Sequence, residues 1–341
     1  MLAPDEVRVA VDAVGLNFWD IFRAMGLFQE GLFGEELVGR IVEVGDDVGN
    51  VAVGDRVVGL GDGTFGTEAV THAALVVPAP SGVSTTALAT VPSVFVSAAL
   101  AFEAADLKAG DWVLIHAGAG GLGLAAIELA RAAGAEVIAT ASAPKRDFLR
   151  SLGIAHVFDS RTTEFGERVL EATNGAGVDV IVNSLTGEGF IAASLACLAE
   201  GGRFVELARR DIWTADEMAA ARPDVGYSVI ELDVCKRDEP ERAGAILARV
   251  VECISAGEIN PLVHCRWPLA AGRDRFGHGV HAVGAPYRED RADAAADVRR
   301  VAKPGSNVSR HRRLGRHRLR GGGLARRSRG RRDRAERPPR A

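Results

Sequence analysis

The segment DWVLIHAGAGGLGLAAIELARAAG, residues 111–134, decides the fold of this chain. Its start, DWVLIHA, is an apolar run as long as a buried strand, and its end, LAAIELARAAG, has the composition of a helix. Between them, GAGGLG follows the spacing G-x-G-x-x-G, which allows a tight turn and a close approach of the backbone to a pyrophosphate. Since Gly-rich turns also serve packing, the context matters: a strand before the turn and a helix after it predict a dinucleotide site at Gly118, Gly120, Gly121, Leu122 and Gly123.

Apolar strands recur along the chain beyond this turn, mostly separated by Ala-rich stretches of helical composition. Besides DWVLIHA they are AEVIATA, IAHVFD, VDVIVNSL, GRFVELA and GYSVIELD. Strands that alternate with helices predict a parallel, doubly wound α/β sheet, here over residues 94–231.

The flanking regions have other patterns. Residues 7–93 contain short Val-rich strands broken by Gly-Asp turns, as in GRIVEVGDDVGNVAVGDRVVGL, and predict a small barrel-like β domain. Residues 239–258, EPERAGAILARVVECISAGE, have the spacing of an amphipathic helix, and the extended segment INPLVHCRW follows them.

Charge is segregated along the chain. Residues 273–341 hold 21 Lys and Arg against 7 Asp and Glu, so the preceding residues hold 20 against 38. The four cysteines form no C-x-x-C pair, which speaks against a zinc ribbon and a disulfide framework and favours thiols in a reducing compartment. With no signal peptide or membrane-length apolar run visible, we expect a cytoplasmic protein without a membrane partner.

The strand after the glycine turn indicates which dinucleotide is bound. An NAD site usually offers a carboxylate there for the ribose hydroxyls, whereas this strand ends in TASAPKR, with no carboxylate before Asp147. Ser142, Lys145 and Arg146 are donors that suit a 2′-phosphate. The sequence therefore favours NADPH, and a solvated basic loop is the alternative.

Six motifs resemble one known family, the enoyl reductase domains of modular polyketide synthases in the medium-chain dehydrogenase/reductase superfamily. They are GLNFWD (15–20), GEELVG (34–39), VGDRVVGL (53–60), HAGAGGLGLAAIELAR (116–131), FDSRTTEF (158–165) and VNSLTGE (182–188). The resemblance implies a GroES-like substrate lobe over residues 1–93 and 232–272, and a Rossmann NADPH-binding lobe over residues 94–231.

The resemblance also implies a reaction and its participants. NADPH would reduce the α,β double bond of an enoyl thioester carried on an acyl carrier protein, with dehydratase and ketoreductase domains as neighbours. Asn17 and Asn183 would lie near the nicotinamide, and Arg161 would join Ser142 and Lys145 at the adenosine phosphate.

This chain departs from the family at the positions expected to handle the proton. Ala99 and Leu100 stand where a Tyr is often found, Arg209 takes the place of a lysine, and Glu231 that of an aspartate. We expect Arg209, Glu231 and Asn17 to be the catalytic residues, although a guanidinium does not release a proton as a buried amine can.

Zinc enzymes of the superfamily carry Cys and His-Glu ligands in the first two motifs. Here those positions read Asn17 and Glu35-Glu36, so we expect no metal site. Two alternatives to the enoyl reductase remain open: a stand-alone quinone or alkenal reductase, and a catalytically decayed remnant in which Arg209 and Glu231 form only a structural ion pair.

The Arg-rich stretch RHRRLGRHR, residues 310–318, would ordinarily indicate a nucleic-acid-binding arm, but it lacks interleaved aromatic residues. When its codons are read one base later, the stretch can encode VTGGLGGIG, which resembles the start of a ketoreductase domain, although the Arg codons also allow other residues. The same shift turns PYREDRA, residues 286–292, into a segment resembling the end of an enoyl reductase. We therefore predict a frameshift near residues 268–285, a disordered tail over residues 273–341, and no nucleic-acid partner.

Overall fold

A computed structural model describes residues 1–26, 32–273 and 279–284 of the chain, with residues 266–273 and 279–284 described by their backbone alone. Within these residues the strands are β1 (Glu6–Gly15), β2 (Glu36–Val44), β3 (Arg56–Leu60), β4 (Glu68–His72), β5 (Val76–Pro78), β6 (Trp112–Ile115), β7 (Glu136–Ala141), β8 (His156–Asp159), β9 (Val178–Asn183), β10 (Leu198–Glu206), β11 (Gly226–Val229), β12 (Cys265–Arg273) and β13 (Gly279–Gly284).

The helices of the same residues connect and cover these strands. They are α1 (Phe18–Ala24), α2 (Thr85–Leu88), α3 (Pro92–Ala104), α4 (Gly121–Ala132), α5 (Ala143–Ser151), α6 (Phe165–Ala172), α7 (Phe190–Ala196), α8 (Ala215–Ala221), α9 (Leu232–Asp238) and α10 (Pro240–Ala256), with a 3₁₀ turn at Ala73–Leu75. No helix in this part of the chain has both the length and the apolar composition needed to cross a membrane.

The first sheet is built around β1. In the described residues it has the order β12-β13-β1-β2-β3-β5, and β4 also pairs with β1. The strand EVRVAVDAVG buries Val7, Val9 and Val11 in one apolar cluster, together with Leu37 and Ile41 of β2. Burial of these branched residues on one face makes this sheet the core of the substrate lobe.

The second sheet is parallel and has the order β11-β10-β9-β6-β7-β8 in the described residues. Its strands are the six that the sequence predicts, and the order reverses between β6 and β9. Ligands of doubly wound sheets bind outside the carboxyl ends of the strands at such a reversal. The predicted fold class, a GroES-like lobe with a Rossmann lobe, is confirmed.

The predicted amphipathic helix is α10, and it packs against α3 and the 3₁₀ turn. Gly244 permits this contact, because a Cβ there would lie 1.8 Å from the carbonyl oxygen of Ala74. After α10 the chain returns to the first sheet through β12 and β13.

The disorder expected over residues 273–341 stays a prediction. Within that range the structure describes Arg273, which ends β12, and β13, which pairs in parallel with residues 13–15 of β1. The edge of β1 offers unpaired backbone groups there, which six residues suffice to satisfy. Residues 274–278 and 285–341, with the frameshift motifs PYREDRA and RHRRLGRHR, lie outside the described residues.

Candidate functional site

The glycine turn joins β6 to α4 at the point where the parallel sheet reverses. Ala117 adopts a left-handed conformation with φ of 50°, and the Gly118 N–H donates to the carbonyl of Thr140 at 2.8 Å. Gly120 precedes α4 as its N-cap in extended conformation. The N–H groups in the first turn of a helix have no acceptor within that helix, so those of Gly121 and Leu122 are suited to bind an anion.

The glycines of the turn differ in what a side chain at each position would contact. A Cβ on Gly123 would lie 2.6 Å from the Cα of Gly118, and a Cβ on Gly118 would lie 2.9 Å from that of Ala139. These two glycines allow the turn, helix and neighbouring strand to pack closely. Gly121 is different, because a Cβ there would meet only Val94, at 3.5 Å. A methyl group would therefore fit at Gly121, which lines the cleft.

The predicted phosphate-binding residues follow β7 and β8, which are adjacent parallel strands. Ser142 is the N-cap of α5, and its carbonyl accepts the Lys145 N–H at 2.8 Å. Arg161 is exposed two residues after β8, and its N–H donates to Asp159 at 2.9 Å. Since Ala141 and Asp159 are paired, the structure places Ser142 and Arg161 at the same edge of the sheet.

The cleft next to the glycine turn is lined from both lobes. Gly15, Leu16, Asn17 and Glu36 come from the substrate lobe, and Gly121 comes from the turn. Thr90, Val94, Leu262 and Val263 complete one side of it. The same small cleft thus contains the first residue of α4, where N–H groups suit an anion, together with Asn17 and Glu36 of the other lobe.

Glu36 is a buried acid in the wall of this cleft. Only 2% of it is exposed, and its carboxyl oxygens accept hydrogen bonds from Asn17 Nδ2 at 2.7 Å and from the Ser93 backbone N–H at 2.8 Å. Burial raises the pKa of Glu36 to about 7, with the charge of Asp20 adding to the increase, while the two hydrogen bonds oppose it.

An acidic cluster that includes Glu35 surrounds one buried lysine. Lys236 of α9 is 6% exposed, and its Nζ lies 2.9 Å from Asp62 Oδ1 and 3.4 Å from Asp233 Oδ1. Burial lowers the pKa of Lys236, but Asp62, Glu35 and Asp233 together outweigh it, so that pKa stands above its ordinary value. Burial also raises the pKa of Glu35 to about 7, although Lys236 opposes the increase. The lysine compensates carboxylates from two separate segments of the substrate lobe, Glu35 and Asp62 before the parallel sheet and Asp233 after it.

The structure brings the two predicted catalytic partners together. Arg209 Nη1 lies 3.0 Å from Glu231 Oε2, and Arg209 Nη2 lies 3.1 Å from Asp233 Oδ2. The guanidinium also stacks over the ring of Trp19, with its carbon 5.4 Å from the ring centroid. Asp233 thus joins Arg209 to Lys236. Sequence reasoning missed Trp19, Asp233 and Lys236.

Asn183 is placed at the end of β9, where it is completely buried. Its Nδ2 donates to Glu206 Oε2 at 2.6 Å, and its Oδ1 accepts the Leu185 N–H at 3.2 Å. Burial raises the pKa of Glu206, against the opposing bond from Asn183. Both ends of the Asn183 amide are therefore already hydrogen-bonded within the protein. The contact of Asn183 with the nicotinamide stays a prediction.

His116 is a further buried polar residue that the sequence did not mark. Its Nε2 lies 2.9 Å from Ser194 Oγ and its Nδ1 lies 3.0 Å from Thr140 Oγ1, while Ser194 donates to the Phe190 carbonyl. Ser194 thus accepts from Nε2, and Thr140 donates to Nδ1. Burial lowers the pKa of His116 to about 3, so a neutral imidazole supports the turn.

The residues at the zinc-ligand positions do not fit zinc. Both oxygens of Glu36 accept N–H groups, and Asn17 presents its donor end to one of them. Over the described ranges no group of three His, Cys, Asp or Glu side chains converges on a point where a metal ion could bind. Ala99 and Leu100, which stand where the family often has a Tyr, lie within α3, and neither side chain carries a hydroxyl.

Two family models match this chain. Residues 3–81 match the alcohol dehydrogenase GroES-like domain, and residues 121–222 match the family described as zinc-binding dehydrogenase. The two matches cover the β-rich lobe and most of the parallel sheet in the order seen in the structure.

Individual proteins are also similar. The pikromycin polyketide synthase component PikAII of Streptomyces venezuelae is 41% identical to this chain over 281 residues. The match covers 81% of this chain but only 7% of the length of PikAII. The crystal structure of the CurK enoyl reductase superposes with a TM-score of 0.74 at 37% identity, covering 84% of this chain and 92% of that one. A mycobacterial protein, Rv1454c, complexed with NADPH has a TM-score of 0.72 at 26% identity, covering 84% and 93%.

Proposed function

Since this chain belongs to the enoyl reductase domains of polyketide synthases, within the medium-chain dehydrogenase/reductase superfamily, we propose that it reduces the α,β double bond of an enoyl thioester with NADPH. One observation supports this proposal above the others. A glycine turn with N–H groups free of helical acceptors opens onto a cleft, and Asn17 and Glu36 of the other lobe line that same cleft.

The residues present fit a phosphorylated nicotinamide coenzyme. Gly121 carries no side chain at the start of α4, where a diphosphate would be bound, and Ser142, Lys145 and Arg161 follow the strand ends where the adenosine ribose would lie. A cationic edge favours a 2′-phosphate over a free hydroxyl pair. The NADPH complex of the similar mycobacterial protein supports the same choice.

The coenzyme would supply a hydride to the β-carbon of the thioester. The negative charge that then develops on the thioester oxygen needs a donor, and we assign this role to Arg209, which lies over the ring of Trp19, two residues after Asn17 of the cleft. Glu231 and Asp233 fix the guanidinium from two sides and Trp19 supports its face. Because a guanidinium keeps its protons, we assign the protonation of the α-carbon to water, with Asn17 as a contact of the nicotinamide.

The substrate and partners of this activity are part of the proposal. We propose a carrier-bound enoyl chain as substrate, with dehydratase and ketoreductase domains as neighbours, because the similar PikAII is a polyketide synthase component. A catalytically decayed reductase is the second candidate. The observation that favours it is that Arg209 stands where the family has a lysine and forms ion pairs with two carboxylates, those of Glu231 and Asp233.

The proposed function is tested by incubating the purified chain with NADPH and a crotonyl thioester of N-acetylcysteamine. We expect slow, enzyme-dependent loss of NADPH absorbance and formation of the butyryl thioester. Binding of NADPH without turnover supports the decayed reductase, and turnover of a free quinone but not of the thioester refutes the assigned substrate.

A further inference from the structure

Glu36 occupies a place that the fold keeps open for it. Gly15 faces the carboxyl group so closely that a Cβ on this glycine would lie 1.7 Å from Glu36 Oε1 and 2.8 Å from the carbonyl oxygen of Ala89. No other side chain can replace Gly15 without displacing the acid. The carboxyl group is therefore held against bare backbone, at the wall of the cleft.

The environment of Glu36 is unusual for a carboxylate that serves stability alone. It is almost completely buried and forms no ion pair within the described residues, whereas Asp20 adds a like charge nearby. Burying an uncompensated carboxyl group costs free energy, and an apolar residue of similar size would avoid that cost. Its retention beside a cleft points to a role in what the cleft binds.

The hydrogen bonds of Glu36 connect it to Asn17. Its two oxygens accept one N–H from the fixed backbone of Ser93 and one from the amide of Asn17. The backbone of Asn17 is fixed separately, since its N–H donates to Asp20 Oδ2 at 2.9 Å. Glu36 is thus the residue that determines which end of the Asn17 amide turns toward the substrate-lobe interior.

We infer that Glu36 is a positioning residue that fixes the amide of Asn17 toward the nicotinamide end of the cleft, and so contributes to coenzyme binding through Asn17. This role rests on the proposed function, because it requires a dinucleotide in the cleft. It differs from a zinc-ligand role, since both oxygens are already engaged by N–H donors.

The substitution Glu36→Gln tests the role with little change in shape. The new amide offers one acceptor to two N–H donors, and the backbone donor of Ser93 cannot move away. The NH₂ end of the new glutamine must then face Asn17, so the Asn17 amide reverses or loses the bond. We expect the Kd for NADPH, measured by fluorescence titration, to rise about tenfold, as for the loss of one good hydrogen bond.

A double-mutant cycle with Asn17→Ala shows whether Glu36 acts through Asn17. We expect Glu36→Gln to change the Kd by less than about twofold in the Asn17→Ala background. Glu35→Gln is the matched control, because it makes the same chemical change at a neighbouring buried glutamate. Within the described residues Glu35 forms no hydrogen bond with Asn17. We therefore expect the Kd of this variant for NADPH to stay unchanged.

The outcomes separate the two proposals. Wild-type protein that binds no NADPH refutes the proposed function and the positioning role with it. Wild-type protein that binds NADPH, with an equal loss for Glu36→Gln in both backgrounds or no loss in either, refutes the positioning role alone. If Glu36→Gln does not fold, Glu36→Asp serves in the same cycle, because its carboxylate is one methylene too short to reach both donors.

Discussion

Replacing Glu36 by glutamine should change how stability depends on pH, and the size of the change follows from the structure. Burial raises the pKa of Glu36 from its ordinary 4.5 to about 7 in the folded protein. Below the lower value both the folded and the unfolded chain hold the proton. Between the two values the unfolded chain releases it while the folded chain keeps it, so the free energy of unfolding falls as the pH rises.

The interval between 4.5 and about 7, at about 1.4 kcal/mol for each pH unit, amounts to about 3 kcal/mol. The wild type should lose this stability relative to Glu36→Gln as the pH rises through that interval, and no more above it. Every other titrating group contributes to both proteins, so their difference isolates Glu36.

Urea unfolding followed by tryptophan fluorescence measures the difference directly. Free energies of unfolding for the wild type and Glu36→Gln, taken from about pH 4 to about pH 8, should diverge by about 3 kcal/mol in favour of the variant, with equal urea slopes. Circular dichroism transitions that coincide with fluorescence check that one transition is measured. A difference that stays constant within about 1 kcal/mol over this range would show that Glu36 titrates normally in the folded protein.

Four further substitutions test the site. Arg209→Lys restores an amine that can release a proton, so we expect kcat for the crotonyl thioester to rise about tenfold, and an unchanged or lower kcat speaks against a proton deficit. Gly123→Ala places a Cβ 2.6 Å from the Cα of Gly118, so we expect a lower Tm and no NADPH binding. In Gly121→Ala the Cβ meets only Val94, at 3.5 Å, so we expect an unchanged Tm. Equal Tm values for the two variants would contradict the packing argument. Arg161→Ala should raise the Kd for NADPH about tenfold and leave that for NADH unchanged, and equal losses for both coenzymes would remove the 2′-phosphate assignment.

The sequence was most informative where local chemistry and topology agree. The glycines between β6 and α4 and the six strands of the parallel sheet follow from short-range pattern, because turn geometry and burial depend on neighbours in the chain. The Arg209–Glu231 ion pair was also anticipated, since both residues follow adjacent strands of that sheet. Their catalytic roles, like those of Asn17 and Asn183, stay predictions.

The parts that escaped prediction depend on contacts between distant segments. The residues near Lys236 in the chain do not predict that it pairs with Asp62, which lies 174 residues away in the sequence. Likewise, Glu36 looks like the first residue of an ordinary strand until β1 brings Gly15 beside it and α3 supplies the Ser93 N–H. Strand β13 was missed because six residues amid arginine-rich sequence carry too little periodicity to be distinguished from coil.

The transfer of deuterium from stereospecifically labelled NADPH is the most direct measurement of the proposed reaction. With an enoyl thioester and excess enzyme, the hydride route places one deuterium on the β-carbon of the saturated product and a solvent proton on the α-carbon. Mass spectrometry of the product in ordinary water should therefore show the label at the β-position alone. A protein that binds NADPH tightly yet leaves the thioester unsaturated and the label on the coenzyme would contradict the assignment of this chain as a working enoyl reductase.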